Sequence, residues 1–244
     1  MLKFDSPLAL TIKSFAELSP ISETEAGQIN SLAVKVRPFE PNSYIFREGL
    51  KNLEYAFVVS GYFYKHKVTA QGQRQLLSIA IPGDVLNPEL RLSSDPDTNV
   101  QCMSDAVVAY IPMARVNELL ANNSNVDLAF SMFSFAEARR LREWLLNIGV
   151  RDGRSRVANF INEFAFRTKL RGLSDGVNFE MPLSQELIGN AVGLSAVHVN
   201  RVLQQLVAIS LLSYKGRKYK ILDTPRFQDA GEFTGNYLSN GMSN

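Results

Sequence analysis

The run Leu183-Ser184-Gln185-Glu186-Leu187-Ile188-Gly189-Asn190-Ala191-Val192-Gly193-Leu194-Ser195-Ala196-Val197-His198-Val199-Asn200-Arg201-Val202-Leu203 reads as two short helices hinged at Gly193. Ser184 stands where it can cap the first helix. Leu183 and Ile188 flank it at the spacing of a hydrophobic staple, and Glu186 puts an acid in the first turn. Gly193 supplies the tight or left-handed backbone position that a reversal between packed helices needs. Ser195 then caps the second helix, with Leu194 and Val199 as its staple pair. This is the grammar of a helix-turn-helix.

On the second helix Val199, Val202, Leu203 and Leu206 recur at helical spacing, so one stripe is buried and the opposite face looks outward. That outward face carries Val197, Arg201 and Gln204, flanked by His198, Asn200 and Gln205. Arg201 matches the O6 and N7 edge of guanine, Gln204 or Asn200 suits adenine, and the Val197 methyls suit a thymine methyl. Base contacts come mostly from the first turns of a recognition helix, which favours Val197, His198 and Arg201 over Gln204. Ser195 and Gln185 are expected on the DNA backbone. The competing reading is an ordinary αα-hairpin with a solvated polar face; the caps, the hinge glycine and the segment that follows favour the reader.

That segment, Leu211 to Leu222, alternates on both sides of Gly216 and reads as a β-hairpin with a basic tip. Lys215, Arg217, Lys218 and Lys220 would lie beside the recognition helix as a wing, where cations contact phosphates without reading sequence. Asn178-Phe179-Glu180-Met181 alternates too, so strands are expected to bracket the helices in a winged helix-turn-helix.

Upstream, residues 33–111 form short alternating or apolar runs divided by turn residues, among them Tyr55-Ala56-Phe57-Val58-Val59, Tyr62 to Val68 and Leu76 to Ile81. Strands at this spacing predict a β-sandwich or roll, preceded by a short helical segment. From Asn125 to Ile148 the period changes to that of a long helix, capped by Ser124 or Asn125 and stopped at Gly149. Its apolar residues lie on more than one side. Phe130, Phe133, Leu141, Trp144, Leu145 and Ile148 are therefore expected to pack partly on the same helix of a second copy. A further helix is expected from Arg154 to Lys169, then a loop at Gly172 to Gly176. After Pro225 a short helix is expected through Phe233, then a frayed end at Ser239 to Asn244. The expected division is 1–123 for a sensor-like β-roll, 124–149 for the connector helix and 150–244 for the DNA-binding domain.

Composition narrows the function classes. The chain has 244 residues and a net charge of only +2, so affinity for nucleic acid must come from local clustering, which the C-terminal half supplies. No apolar run approaches the roughly 20 residues that span a bilayer, and no signal pattern opens the chain, so a cytoplasmic protein without a membrane partner is expected. The single Cys102 reads as a small core residue in a strand and excludes an internal disulfide framework. Two histidines, His66 and His198, leave little material for a metal centre or a catalytic triad, and no glycine-rich phosphate loop is present. Neither a cofactor nor enzyme activity is expected.

Phe46-Arg47-Glu48-Gly49, Val58-Val59-Ser60-Gly61, Ile81-Pro82-Gly83-Asp84-Val85, the long helix and Gly193 to Arg201, in this order, make the chain similar over nearly its full length to the CRP/FNR family of bacterial transcription regulators. Arg142-Glu143-Trp144-Leu145 together with Val197-His198-Val199-Asn200-Arg201 resembles a proteobacterial branch of it. The resemblance implies an α+β chain: a cyclic-nucleotide-binding-like β-roll (jelly roll), a dimerisation helix and a C-terminal winged helix-turn-helix. It implies a homodimer on a palindromic site in double-stranded DNA, with RNA polymerase as a further partner. The alternatives are a sensor whose β-roll binds an unidentified small molecule that switches DNA binding, and an interaction scaffold.

The departures bear on the ligand. Nucleotide-binding members carry Gly-Glu and then an Arg-Ser/Thr-Ala cassette; here the matching stretches are Leu86-Asn87-Pro88-Glu89 and Pro96-Asp97-Thr98. Asp95 and Asp97 would repel a phosphate, and Arg91 is offset from the arginine's place, so cyclic AMP or GMP is not the expected effector. The N-terminus lacks the cysteine cluster of iron–sulfur members. His66, the one candidate for a haem ligand, stands between Lys65 and Lys67 and is expected at an exposed strand edge. Ala196 and Val197 replace the Arg-Glu pair of cyclic-AMP members, so the half-site should differ from theirs.

Overall fold

The structure, a computed structural model, describes residues 6–238; the tail Ser239 to Asn244 lies outside them. It divides into two compact units, 1–67 with 78–138 and 68–77 with 139–244. The first begins with α1 (Ala9–Ala16) and α2 (Glu23–Asn30). The strands β1 (Lys35–Phe39), β2 (Tyr44–Phe46), β3 (Glu54–Ser60), β4 (Phe63–Val68) and β5 (Arg74–Ala80) follow. After a 3-10 turn at Pro88–Arg91 come β6 (Asn99–Cys102), β7 (Ala106–Pro112), α3 (Met113–Asn122) and the long α4 (Ser124–Gly149).

The strands make two antiparallel sheets, ordered β1-β7-β3 and β2-β6-β4-β5. Alternation along β3 explains how one strand serves two cores. Ala56 and Val58 point inside the roll with Phe63, Val100 and Cys102, while Tyr55 and Phe57 point toward helices that supply Phe15, Val116, Leu120 and Phe130. Cys102 is fully buried on β6, as the sequence predicts.

His66 does not lie where the sequence places it. It is completely buried on β4, an interior strand between β6 and β5, with its ring against Tyr64 (5.2 Å) and Tyr44 (6.0 Å). The flanking lysines mislead because Lys65 is buried as well, paired with two carboxylates. The single N-terminal helix expected is two, and α3 has no counterpart in the sequence reading: it starts directly after Pro112 and buries only Val116 and Leu120.

Ser22 and Glu25 close a capping box on α2. Ser22 Oγ accepts from the Glu25 amide at 3.2 Å, and Glu25 Oε2 accepts from the Ser22 amide at 2.8 Å. The Ser22 amide first, and then the Ser22 hydroxyl, which donates to Glu25 Oε2 at 2.7 Å, hold the Glu25 carboxyl below its usual 4.5. A lowered folded value means that the contribution to stability is complete above about pH 4.5 and is lost as pH falls through the folded value. Glu25→Gln should therefore flatten part of the acid limb of a melting-temperature profile; an unchanged limb would show that the box is not populated.

The second unit holds the C-terminal half of α4, then α5 (Gly153–Leu170), β8 (Asn178–Glu180), α6 (Gln185–Val192), α7 (Ala196–Ala208), β9 (Leu212–Lys215), β10 (Lys218–Ile221) and α8 (Thr224–Ala230). Asp152 caps α5, accepting from the Ser155 amide at 2.8 Å. Buried Arg151 reaches Glu143 at 2.6 Å and Glu232 at 3.2 Å, tying the end of α4 to the segment after α8. Asn159 and Asn162 donate to the carbonyls of Gly231 and Phe227, which seats α8 on α5. No helix of the described residues is long and apolar enough to cross a membrane.

Candidate nucleic-acid interface

The two helices of the expected reader are present with their expected caps. Ser184 Oγ accepts from the Leu187 amide at 3.1 Å and Ser195 Oγ from the His198 amide at 3.2 Å, while Gly193 ends α6 at φ 68°, ψ 39°. Gly189 is a second glycine requirement, not visible in the sequence. A Cβ there would overlap the backbone carbonyl oxygen of Leu194, so glycine sets how closely the turn folds back on α6. Arg156 reinforces the reversal from α5, donating to the Val192 carbonyl at 3.4 Å.

On α7, Val199, Val202, Leu203 and Leu206 are buried. Val197 is 81% exposed, and Arg201 and Gln204 are exposed with it. No ion-pair or hydrogen-bond partner holds the Arg201 guanidinium among the described residues. The other expected contacts are engaged within the protein. Gln185 Oε1 accepts from Asn200 Nδ2 at 3.1 Å, joining the two helices, and Gln204 Nε2 donates to the Tyr214 hydroxyl at 3.0 Å. His198 is half-buried and leans on the start of α5: a Cβ on Gly153 would come within 3.0 Å of its Nε2. Beside it an open groove is lined by Gly153, Arg154, His198, Arg201 and Gln205. This brings Arg154, distant in sequence and exposed, next to Arg201.

The hairpin pairs Lys215 with Lys218 across a two-residue loop whose first member, Gly216, takes φ 60°, as a II′ turn requires. β8 joins on the other side of β10, giving the order β8-β10-β9. Tyr214, Tyr219 and Phe179 are directly opposed across this sheet and turn to one face. Lys215, Lys218 and Lys220 leave from the other face and, with Arg217 at the tip, are all exposed.

The residues expected at a subunit contact separate into two groups. Phe130 and Phe133 are buried in the core of their own chain, Phe130 edge-on to Tyr55 (5.4 Å) and Phe15 (6.1 Å). Trp144 is buried on Phe160 and donates its indole N–H to Glu163 at 2.9 Å. Burial within the chain removes these three from an outward face. Leu141 and Leu145 stay outside, at 41% and 73% exposure, joined by Phe135, Leu146 and Val150; Ile148 is half-buried near Gly193.

At the stretch matching the family's nucleotide contacts, the chain is occupied by its own bonds. Leu86 is fully buried, and the Asn87 side chain accepts from the Ala56 amide and donates to the Glu54 carbonyl, both at 2.9 Å. Lys65 Nζ lies 3.4 Å from Glu89 and 2.9 Å from Glu137 on α4. Burial opposes charge on Lys65, but the two carboxylates outweigh it and its pKa is raised. Glu89 is raised as well, because burial exceeds the pull of a lysine it shares with Glu137. Asp95 and Asp97 are exposed.

Residues 139–230 match the Crp-like helix-turn-helix domain and residues 36–123 the cyclic nucleotide-binding domain. The chain is 23% identical over 218 residues to the transcriptional activator protein anr of Pseudomonas aeruginosa, covering 89% of this chain and 84% of that one. It is 21% identical over 203 residues to the fumarate and nitrate reduction regulatory protein of Vibrio cholerae, covering 83% and 81%. Among solved structures, FixK2 from Bradyrhizobium japonicum shares the fold with a TM-score of 0.73 at 22% identity, covering 82% of this chain and 98% of that one. A CRP-family transcriptional regulator from Thermus thermophilus does so at 0.64 and 17%, covering 80% and 96%.

Proposed function

Since the chain belongs to the CRP/FNR family of transcription regulators, we propose that it acts as a homodimer on a palindromic operator in double-stranded DNA, one α7 to each half-site. The observation that carries this reading is the outward row of α7: Val197 and Arg201 stand exposed on a helix whose opposite stripe is fully buried. Val197, Arg201 and Gln204 read bases, with His198 at the edge of the row. Ser195 and Gln185 lie toward the DNA backbone, and Lys215, Arg217 and Lys218 hold flanking phosphates. Residues 1–123 form the β-roll, 124–149 the dimerising helix and 150–244 the reader.

Leu141 and Leu145, with Phe135 and Leu146, are among the apolar residues that α4 leaves exposed, and a second copy of the helix covers them. Dimerisation also sets half-sites about 34 Å apart, or a multiple of that helical repeat. Regulation of transcription makes RNA polymerase the further partner and the cytoplasm the location. Cyclic AMP is not the effector: the cassette arginine is absent and Glu89 is committed to Lys65.

Two substitutions separate base reading from phosphate holding. Arg201→Ala should cost about 1–3 kcal/mol of specific binding and relax selectivity at one base pair. Lys218→Ala should weaken all sequences alike and lower the salt slope by about one. Titrations of matched and scrambled duplexes over a range of salt measure both. If Arg201→Ala leaves the preferred sequence unchanged, this docking of α7 is wrong.

A further inference from the structure

We propose that Tyr214 is a positioning residue for base reading: from the wing, its hydroxyl holds the Gln204 carboxamide in the orientation that a contact to adenine takes. The inference rests on the DNA reading of α7 above and adds to it a specificity element outside the recognition helix.

Tyr214 ends a row of aromatic rings. Phe179, Tyr219 and Tyr214 are direct cross-strand partners on β8, β10 and β9. Tyr219 stacks on Phe179 at 5.8 Å and 13°, and on Tyr214 at 5.4 Å and 15°. Phe179 in turn packs against Phe164 of α5 at 6.1 Å. Phe179 and Tyr219 are buried at 6% and 5% exposure, so the inner part of the row belongs to the core of the unit, and Tyr214 carries that rigidity to the sheet edge. A phenol with two χ angles, clamped by stacking, loses little further freedom when it holds a neighbour.

The neighbour it holds is Gln204, exposed on α7 one turn beyond Arg201 counted by i+3. A glutamine amide has two N–H donors and one carbonyl oxygen. Gln204 Nε2 gives one hydrogen to Tyr214 at 3.0 Å. The second N–H and Oε1 stay available, and these are the two groups that a bidentate contact to adenine N7 and N6 uses. An unheld glutamine on a solvated face would have to be ordered during binding. That ordering costs about a two- to tenfold loss of affinity for one long side chain, and here the wing meets the cost beforehand.

The test is parallel selection of duplexes from a random pool by the full-length wild type, Tyr214→Phe and Gln204→Ala. Tyr214→Phe keeps the ring stack and removes only the hydroxyl, and thermal melting checks that it folds as the wild type does. The expected result is that Gln204→Ala loses an adenine preference at one position per half-site, about tenfold or more. Tyr214→Phe should lose part of the preference at that same position, about two- to tenfold, with the other positions and the salt slope unchanged. A purely structural or phosphate-holding role for Tyr214 predicts uniform weakening; that result, or an unaltered selected sequence in Tyr214→Phe, overturns the proposal. A wild-type pool without any preferred sequence would instead overturn the DNA reading, and this inference with it.

Discussion

Gly189→Ala is expected to destabilise the protein by about 2 kcal/mol or more and to abolish selective DNA binding. Helix propensity alone predicts the opposite sign: glycine within a helix costs about 1 kcal/mol relative to alanine. Packing reverses it. The added Cβ would overlap the carbonyl oxygen of Leu194, a backbone atom that cannot rotate away. The Leu194 amide is itself bonded to the Gly189 carbonyl at 3.0 Å, so the turn cannot retreat without losing that bond. Overpacking of this kind costs about 3 kcal/mol or more, which exceeds the propensity gain. Displacing Leu194 also displaces Ser195, the cap of α7, and with it the first turn that carries Val197. Urea unfolding and duplex binding measure the two effects. A variant as stable as the wild type would mean that the turn yields without cost.

The other large effect is expected at Lys65. Lys65→Met should cost about 3 kcal/mol, the lower part of the range for breaking a buried ion pair, because Glu89 keeps some access to water. The side chain of Lys65 is 9% exposed, those of Glu137 and Glu89 15% and 30%, so removing the cation strands two carboxylates side by side. The pH dependence has a definite sign. Without Lys65 the pKa of Glu89, already raised by burial, loses the cation that pulls it down and rises further, so the penalty is full at neutral pH and disappears as pH falls below the unfolded carboxylate value. The stability difference between wild type and Lys65→Met should therefore narrow on acidification. Replacing both acids with leucine in the Lys65→Met background should recover much of the loss. A neutral, pH-independent Lys65→Met would show that the three charges do not interact in the folded protein.

Legibility in the sequence follows the range of the physics. The caps Ser184 and Ser195 and the hinge Gly193 act on residues three or four away, and each is readable from spacing alone. The wing is readable for the same reason, since a strand alternation and one glycine define a two-residue hairpin. Gly189 looks like an ordinary helical residue because its constraint comes from a carbonyl on the far side of the turn. His66 and Lys65 mislead because local charge implies a solvated strand, whereas burial is decided by Glu89 and Glu137, 24 and 72 positions away in sequence. On the long helix, periodicity identifies the apolar residues but not their partners. Phe130 turns inward to rings on α1 and β3, Trp144 to a ring on α5, and Phe133 is buried in the same core as Phe130, so only Leu141 and Leu145 of the expected set remain well exposed. Tyr214 carries no signal beyond β-propensity, since its contact to Gln204 exists only once the wing has folded beside α7.

Selection of duplexes from a random pool by the purified full-length protein, without added nucleotide and at about 0.15 M salt to suppress purely electrostatic binding, tests the central claim most directly. The expected result is an enriched inverted repeat with half-sites about one helical turn apart and a guanine opposite Arg201 in each. Retention of all sequences alike, or enrichment of a single unrepeated half-site, would contradict a dimeric reader built on α7.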